Sequence, residues 1–513
     1  MNKRKILQRV LAVIAVLAVI AGVLGGILWY DHRHAPVDIA DLRAVIENET
    51  LVVSWRSPAI VRTDHLELTI VKDEESATVR LMPWEDTYTA TDISSSDLVR
   101  VSLQAFFRDG SAGAMQATTA RSVAPEDLPN LMTLKIVTDT GNDPTYRVRE
   151  KSDPTWPGET ITDAAYLTAR VDIIENGAIT SDNLPLSIRV RGNTSAVGNP
   201  KKPYKLQFPA GIDLLGLGPD YAETDWLLIN CGSDLKTLVG NYIGLLCGQE
   251  WVPQMRFVNV MLNGDWKGLY VLSEPVNLLS SHGAVSEDGL IIESDPYWWA
   301  SDGLYFSVTQ SKNYHYTFKY PRLFGVKDPR IGQVQQAIQQ IEDLAEAGQE
   351  DVFERLDIDS FVAWMMDKDL MGVLDAAGSN RYMYMESFDA QGGQSTQLKA
   401  GPLWDFDSSF QSVDQFCPQH SDWSIYKSLF EMASFNTRYR ERFDEVKGTL
   451  SADVEAMLQP LLADQGEALN ESRRLNNERW DATSSDVFAE ADQIVEWLDA
   501  RIAWMDTALA AAE

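Results

Sequence analysis

Between about residues 35 and 122, apolar and polar positions alternate in short runs, as in Leu51-Val52-Val53-Ser54-Trp55, His65-Leu66-Glu67-Leu68-Thr69-Ile70 and Val99-Arg100-Val101-Ser102-Leu103. A period of two places every second side chain on one face of a strand, so this stretch predicts an all-β sandwich. Ala124-Pro125-Glu126-Asp127-Leu128-Pro129 breaks the pattern and predicts a domain boundary. From about 130 to 275 the runs are again mainly strand-like, whereas from about 333 to 513 apolar residues recur at helical spacing, in 333–347, in 359–373 and in a tail carrying Ile494, Val495, Trp497, Leu498, Ile502 and Met505. Strands first and helices second predict a two-lobed α+β body over 130–513, with the Ser-, Gly-, Tyr- and Trp-rich segment 280–330 as an insertion between the lobes. Asn263-Gly264, flanked by apolar runs, predicts a two-residue hairpin.

The start of the chain follows another pattern. Lys3, Arg4, Lys5 and Arg9 precede an unbroken apolar run from Val10 to Tyr30 that ends in Trp29-Tyr30 and is followed by Asp31-His32-Arg33-His34. Twenty-one residues rising 1.5 Å each cover roughly the 30 Å of a hydrocarbon core, and the run is too long for a cleaved signal segment. The expectation is a cytoplasmic tail at 1–9, a single transmembrane helix at 10–30 and an exported remainder, by the positive charge preceding the span.

Composition narrows the function classes. The 513 residues are 45% hydrophobic and 23% charged, which describes folded protein of more than one domain, and the formal net charge is −31. No basic stripe accompanies that acidity, so nucleic acid is excluded as a partner. Three cysteines, Cys231, Cys247 and Cys417, allow one disulfide at most, and no His-x-x-x-His or Cys-x-x-Cys spacing marks a zinc site.

Candidate chemistry concentrates in two acidic clusters. Asp357 or Asp359 is placed to cap a helix that ends near Gly372, and the loop beyond it holds Asp375 and Asn380 five positions apart, followed by the strand-like Arg381-Tyr382-Met383-Tyr384-Met385. In phosphoryl transfer that spacing has a reason: the Asp orients the attacking hydroxyl and the Asn carbonyl oxygen ligates magnesium. Thirty residues after Asp375, Asp405-Phe406-Asp407 follows a second strand-like run. Two carboxylates this close repel unless they are solvated or share a cation, and magnesium takes one or two carboxylates plus phosphate oxygens. Alone, either cluster reads equally as a polar turn.

Together with three upstream blocks, these clusters resemble the CotH kinase family, the spore-coat and surface-associated atypical kinases. The blocks are Arg189-Val190-Arg191-Gly192-Asn193-Thr194-Ser195 leading to Lys201-Lys202-Pro203-Tyr204-Lys205; Trp226 to Asn230 with Asp234 and Asn241; and Val260 to Glu274, with the fourth running from Asp375 to Asp407. The resemblance covers about 130 to 420. The Trp55 and Tyr88 positions and the Arg108-Asp109-Gly110 turn of the first domain resemble a fibronectin type III or other immunoglobulin-like sandwich.

The family resemblance implies an atypical kinase fold binding ATP with Mg2+ (or Mn2+). On that reading Asp375 is catalytic, Asn380, Asp405 and Asp407 are metal ligands, and Lys205 or Lys202 steadies the phosphates. The Arg191-Gly192-Asn193 turn approaches the phosphates with its backbone, and Glu274 stands at the interlobe hinge. Three features depart from the kinase pattern: Val373-Leu374 replace the His-Arg before the catalytic Asp, Asp407 stands where a Gly is usual, and Val239-Gly240-Asn241 lacks a basic residue before the Asn. The acidic partner of the phosphate lysine is unassigned. The expected activity is transfer of the ATP γ-phosphoryl group to Ser or Thr of surface or secreted proteins by a membrane-tethered enzyme, against a non-catalytic kinase-fold adhesin or a nucleotidyl transferase using the same metal site.

Overall fold

The computed structural model describes residues 35, 37–47, 49–72, 75–94, 97–121, 123, 127–150, 160–230, 235–277, 284–301, 303–309, 315–321, 325–376, 380–389, 393–394, 396–420 and 425–511. They form two compact units: one holds the chain up to Leu128 together with Met261–Gly268 and Leu475–Ala482, and the other holds the remainder.

In the first unit the alternating runs become seven antiparallel strands in two sheets. One sheet orders Ala40–Glu47, Thr50–Arg56 and Thr87–Thr91; the other orders Glu75–Leu81, Thr63–Lys72, Leu98–Phe107 and Gln116–Arg121. Leu51, Val53 and Trp55 from the first sheet share one buried core with Leu66, Leu68, Val99, Val101 and Leu103 from the second. The apolar half of each alternation is thus what holds the sheets together.

A closed seven-stranded barrel, all of it in the second unit except Met261–Gly268, takes in Thr133–Thr138, Leu167–Glu175, Ala178–Val190, Tyr204–Ile212, Glu223–Ile229, Met255–Leu262 and Asp265–Ser273. The last two strands turn through Asn263-Gly264, both at positive φ (51° and 81°), as a two-residue hairpin requires. The rest of the unit contains a five-stranded sheet, ordered Tyr305–Phe306, His315–Tyr320, Leu290–Asp295, Arg381–Met385 and Lys399–Ala400. The segment 280–330, expected as an insertion, therefore supplies three strands of this sheet. Its Ser, Gly and aromatic content hid the strand period.

Helix Ile358–Leu370 is the central pillar: eleven of its thirteen residues are buried, and Asp357 caps it by accepting the Ser360 amide at 2.7 Å. Helix Lys236–Cys247 and helix Ala433–Val446 pack on it. Helix Pro329–Glu346 begins at the Asp328 cap with Pro329 in its first turn, where a missing amide hydrogen costs nothing.

Two expectations need correction. Among the described residues no helix is long and apolar enough to cross a membrane. The helices long enough to span, Leu450–Trp480 and Val487–Ala511, carry charged residues such as Asp453, Arg473, Glu490 and Arg501 along their length, Arg473 and Arg501 being buried within the protein. The fold class is a mixed α/β body with an N-terminal β domain, and the single-pass, outward-facing arrangement is not supported; the run 10–30 that suggested it lies outside the described residues. Cys247 and Cys417 are buried thiols without a disulfide, and Cys231 lies outside the described residues.

Candidate active site

Helix Ile358–Leu370 ends at Gly372, which takes φ +58°, and the chain then makes a one-turn helix, Leu374–Ala376, around Asp375. Asp375 sits at φ −93°, ψ 39°, off the helical region, with its amide donating to Ser408 Oγ at 2.8 Å. Ser408 follows Asp407, so this bond ties the two acidic clusters together. Asn380 (φ +58°) and Asp405 (φ +61°) both adopt left-handed backbone. Such residues persist only where surrounding structure holds them. Asn380 Nδ2 donates to Asp405 Oδ2 at 2.9 Å, joining the clusters a second time.

Burial raises the Asp375 carboxyl above its ordinary pKa, and the negative charges of Asp405 and Asp407 push it the same way. Asp405, Asp407 and the Asn380 side-chain oxygen are hard oxygen donors of the kind a magnesium ion takes.

The segment behind Asp405 is wedged in place. Phe406 is fully buried, and a Cβ on Gly240 would lie 2.3 Å from its ring, so helix Lys236–Cys247 approaches at a distance that only glycine permits. Gly244 makes the same allowance for Leu403, at 2.0 Å. The residue before Asn241 thus serves close packing instead of charge, and Asn241 itself donates to the Pro253 carbonyl at 2.8 Å. From the other side Lys368 donates to the Trp404 carbonyl at 3.0 Å and places its ammonium 3.8 Å from the Phe406 ring centre.

These residues face a cleft of about 930 Å³ whose walls include Asp375, Asn380, Asp405, Asp407, Arg191, Asn193 and Lys205. Arg191 stacks 5.7 Å from the Trp404 ring centre, and Asn193 accepts the Thr162 amide at 3.3 Å. Gly192 at φ +79° makes the turn, since a Cβ there would strike Ser195 Oγ at 2.3 Å. Lys205 forms an ion pair with Asp225 at 2.6 Å, on the neighbouring barrel strand.

Lys202 and Glu274 are not among the cleft-lining residues. The Lys202 ammonium donates to the Ala196 and Asn199 carbonyls, each at 2.7 Å, and desolvation lowers its pKa; it staples the loop behind the cleft. Glu274 is fully buried and accepts the Gln254 amide at 2.8 Å.

Several cleft residues had no role in the sequence reading: Arg189, Glu293, Asp295, Tyr297, Lys319, Tyr382 and Trp404. Lys319 lies 2.5 Å from Glu293 and 3.2 Å from Asp295, and Thr317 donates to Asp295 at 2.8 Å. The available signal was the i, i+2 spacing of Glu293 and Asp295 on one strand, in the segment expected as an insertion.

A separate group, with Asp369 and Cys417 buried and His420 half-buried, brings donor atoms of the three within 4.8 Å of one another, around the Cys417-Pro418-Gln419-His420 spacing. Asp369 already accepts from the Cys417 amide at 2.8 Å and the Tyr439 hydroxyl at 2.6 Å, and its Oδ2 lies 2.6 Å from His420 Nε2. Burial pushes the Asp369 carboxyl up, but His420, Arg501 and Cys417 together outweigh it and hold the pKa below its ordinary value. Its mixed N, O and S donors differ from the all-oxygen set of the cleft.

No curated protein matches the chain. Among solved structures, the fibronectin type III domain of the human collagen alpha-1(XX) chain matches at 21% identity over 18% of this chain and 90% of that one, with a TM-score of 0.16. A two-domain fibronectin type III segment of chicken tenascin matches at 15% identity over 29% and 97%, also at 0.16. At those scores the sandwich is defined by its own strand order, given above. The family description "CotH kinase protein" matches residues 188–505, which take in every cleft-lining residue but Thr162 and more than half of the 513 residues. The chain belongs to the CotH kinase family.

Proposed function

We propose that the protein is an ATP-dependent protein kinase that transfers the γ-phosphoryl group to a Ser or Thr hydroxyl of a protein substrate. The observation that carries this reading is the bond from Asn380 to Asp405 in a cleft shared with Asp375 and Asp407. Asp375 accepts the proton of the attacking hydroxyl; its raised pKa, set by burial and by Asp405 and Asp407, makes it a better proton acceptor than an ordinary aspartate. The hydroxyl oxygen bonds to the γ-phosphorus, the bond from that phosphorus to the β–γ bridging oxygen breaks, and ADP leaves. Asn380, Asp405 and Asp407 would hold Mg2+ (or Mn2+), which supplies charge neutralisation to the phosphates when bound. Arg189 and Arg191 add positive charge to the opening. The test is incubation with γ-labelled and, separately, α-labelled ATP: protein label from the γ position alone supports the reading, and label from the α position replaces it with nucleotidyl transfer.

A further inference from the structure

Two lysines line the cleft, and their surroundings differ. Lys205, which with Lys202 is one of the two lysines that sequence reasoning offers for the phosphates, is paired with the single carboxylate of Asp225 on its own barrel. Lys319 comes from strand His315–Tyr320 and is gripped by two carboxylates of the adjacent strand, Glu293 at 2.5 Å and Asp295 at 3.2 Å. That adjacent strand pairs on its far side with Arg381–Met385, Ser294 opposite Arg381, so the grip sits one strand from Asn380. Asp295 is itself fixed by the Thr317 hydroxyl at 2.8 Å and the Tyr297 amide at 2.7 Å.

We propose that Lys319, positioned by Glu293 and Asp295, is the lysine that binds the nucleotide phosphates in this cleft. The inference rests on the kinase reading above and names a residue of that same site. An ammonium has three N–H donors; two are directed to Glu293 and Asp295, which leaves one for an oxygen in the cleft. Burial alone would push the lysine pKa down, but Glu293 and Asp295 reverse this and hold it well above the ordinary value, so the cation stays charged. A lysine whose rotamer is fixed beforehand loses little freedom on meeting a phosphate. Glu293 and Asp295 thus fill the role left open in the sequence, that of the acidic partner of the phosphate lysine.

The test compares Mg2+-dependent binding of ADP with binding of adenosine to the full chain. Wild-type protein is expected to prefer ADP, and Lys319→Met to lose roughly 10- to 100-fold of that preference while adenosine binding holds, with Lys319→Arg recovering part of it. Because Lys319→Met strands two carboxylates, Lys319→Met/Glu293→Gln, which keeps the net charge of the trio, is measured beside it and is expected to show the same loss. A folded double variant that retains the ADP preference overturns the assignment and leaves the kinase reading standing. Wild-type protein without any preference for ADP overturns both.

Discussion

The Asn380 side-chain amide donates to the Asp405 carboxylate at 2.9 Å, and both residues adopt left-handed backbone, at φ +58° and +61°. Local propensity alone would not favour two such conformations, so the bond and the backbone are maintained together. Replacing Asn380 separates the two contributions. Asn380→Gly keeps the backbone comfortable and removes the amide, whereas Asn380→Ala removes the amide and adds about 1 kcal/mol of backbone strain. Both are expected to lower kcat by about 100-fold or more, by analogy with the removal of one oriented polar group from an active site. Both should lower the unfolding midpoint in urea through the lost bond.

Gly240 leaves room for Phe406, the residue between the two acidic groups Asp405 and Asp407. Gly240→Ala gains helix propensity of about 1 kcal/mol but brings a methyl group to 2.3 Å from the ring. Overpacking typically costs about 1–3 kcal/mol, so the net is destabilising or near neutral, while Phe406 must shift and carry Asp405 with it. The expected signature is weaker Mg2+-dependent ADP binding with a small change in thermal midpoint. An unchanged ADP affinity would show that Phe406 moves independently of Asp405.

Lys368 is buried, donates to the Trp404 carbonyl and lies over Phe406. Desolvation lowers its pKa, opposed by the charges of Asp367 and Asp405. Lys368→Met keeps most of the volume and leaves the Trp404 carbonyl without this donor, a loss of about 2 kcal/mol. Urea unfolding measures that loss. ADP binding should weaken as well, because the loop before Asp405 loses its prop.

Asp367 predicts how stability varies with pH. Its carboxylate is fully buried, neither oxygen accepts a hydrogen bond, and burial is the largest cause raising its pKa to about 8, with Asp369 adding to it and Lys368 opposing. The folded state therefore binds this proton more tightly than the unfolded chain does. The sign follows: the contribution is fully present below the unfolded pKa of about 4 and is lost as pH rises through about 8. Asp367→Asn should flatten the fall in stability between those values and be more stable than wild type at pH 8. A wild-type profile that rises with pH across that window, unchanged in Asp367→Asn, would contradict the assignment.

What the sequence revealed follows from how local the physics was. The sandwich was legible because Leu51, Val53, Leu66, Leu68, Val99 and Val101 alternate strictly with polar neighbours and end up in one core. Asn263-Gly264 and the Asp357 cap were legible because turns and helix ends are decided within four residues. The Asp375, Asn380, Asp405 and Asp407 set could be suspected from spacing, and its joining by Ser408 and by the Asn380 amide required the fold. Lys319 was not legible: its partners lie 24 and 26 residues earlier on the adjacent strand. Gly240 looked like a missing charge because nothing local announces Phe406, which is 166 residues away. The apolar run at 10–30 carried the clearest local signal of all and lies outside the described residues, among which no helix is long and apolar enough to cross a membrane.

The most direct test of the central claim pairs transfer with binding in two variants of the full chain. With Mg2+ and γ-labelled ATP, wild-type protein should label Ser or Thr of an added or self-supplied protein substrate. Asp375→Asn should abolish label while ADP affinity stays close to wild type, because its carboxylate acts on the acceptor hydroxyl. Asp405→Ala should lose label and Mg2+-dependent ADP binding together. Undiminished γ-label in Asp375→Asn, or ADP binding that ignores both Mg2+ and Asp405→Ala, would contradict the account.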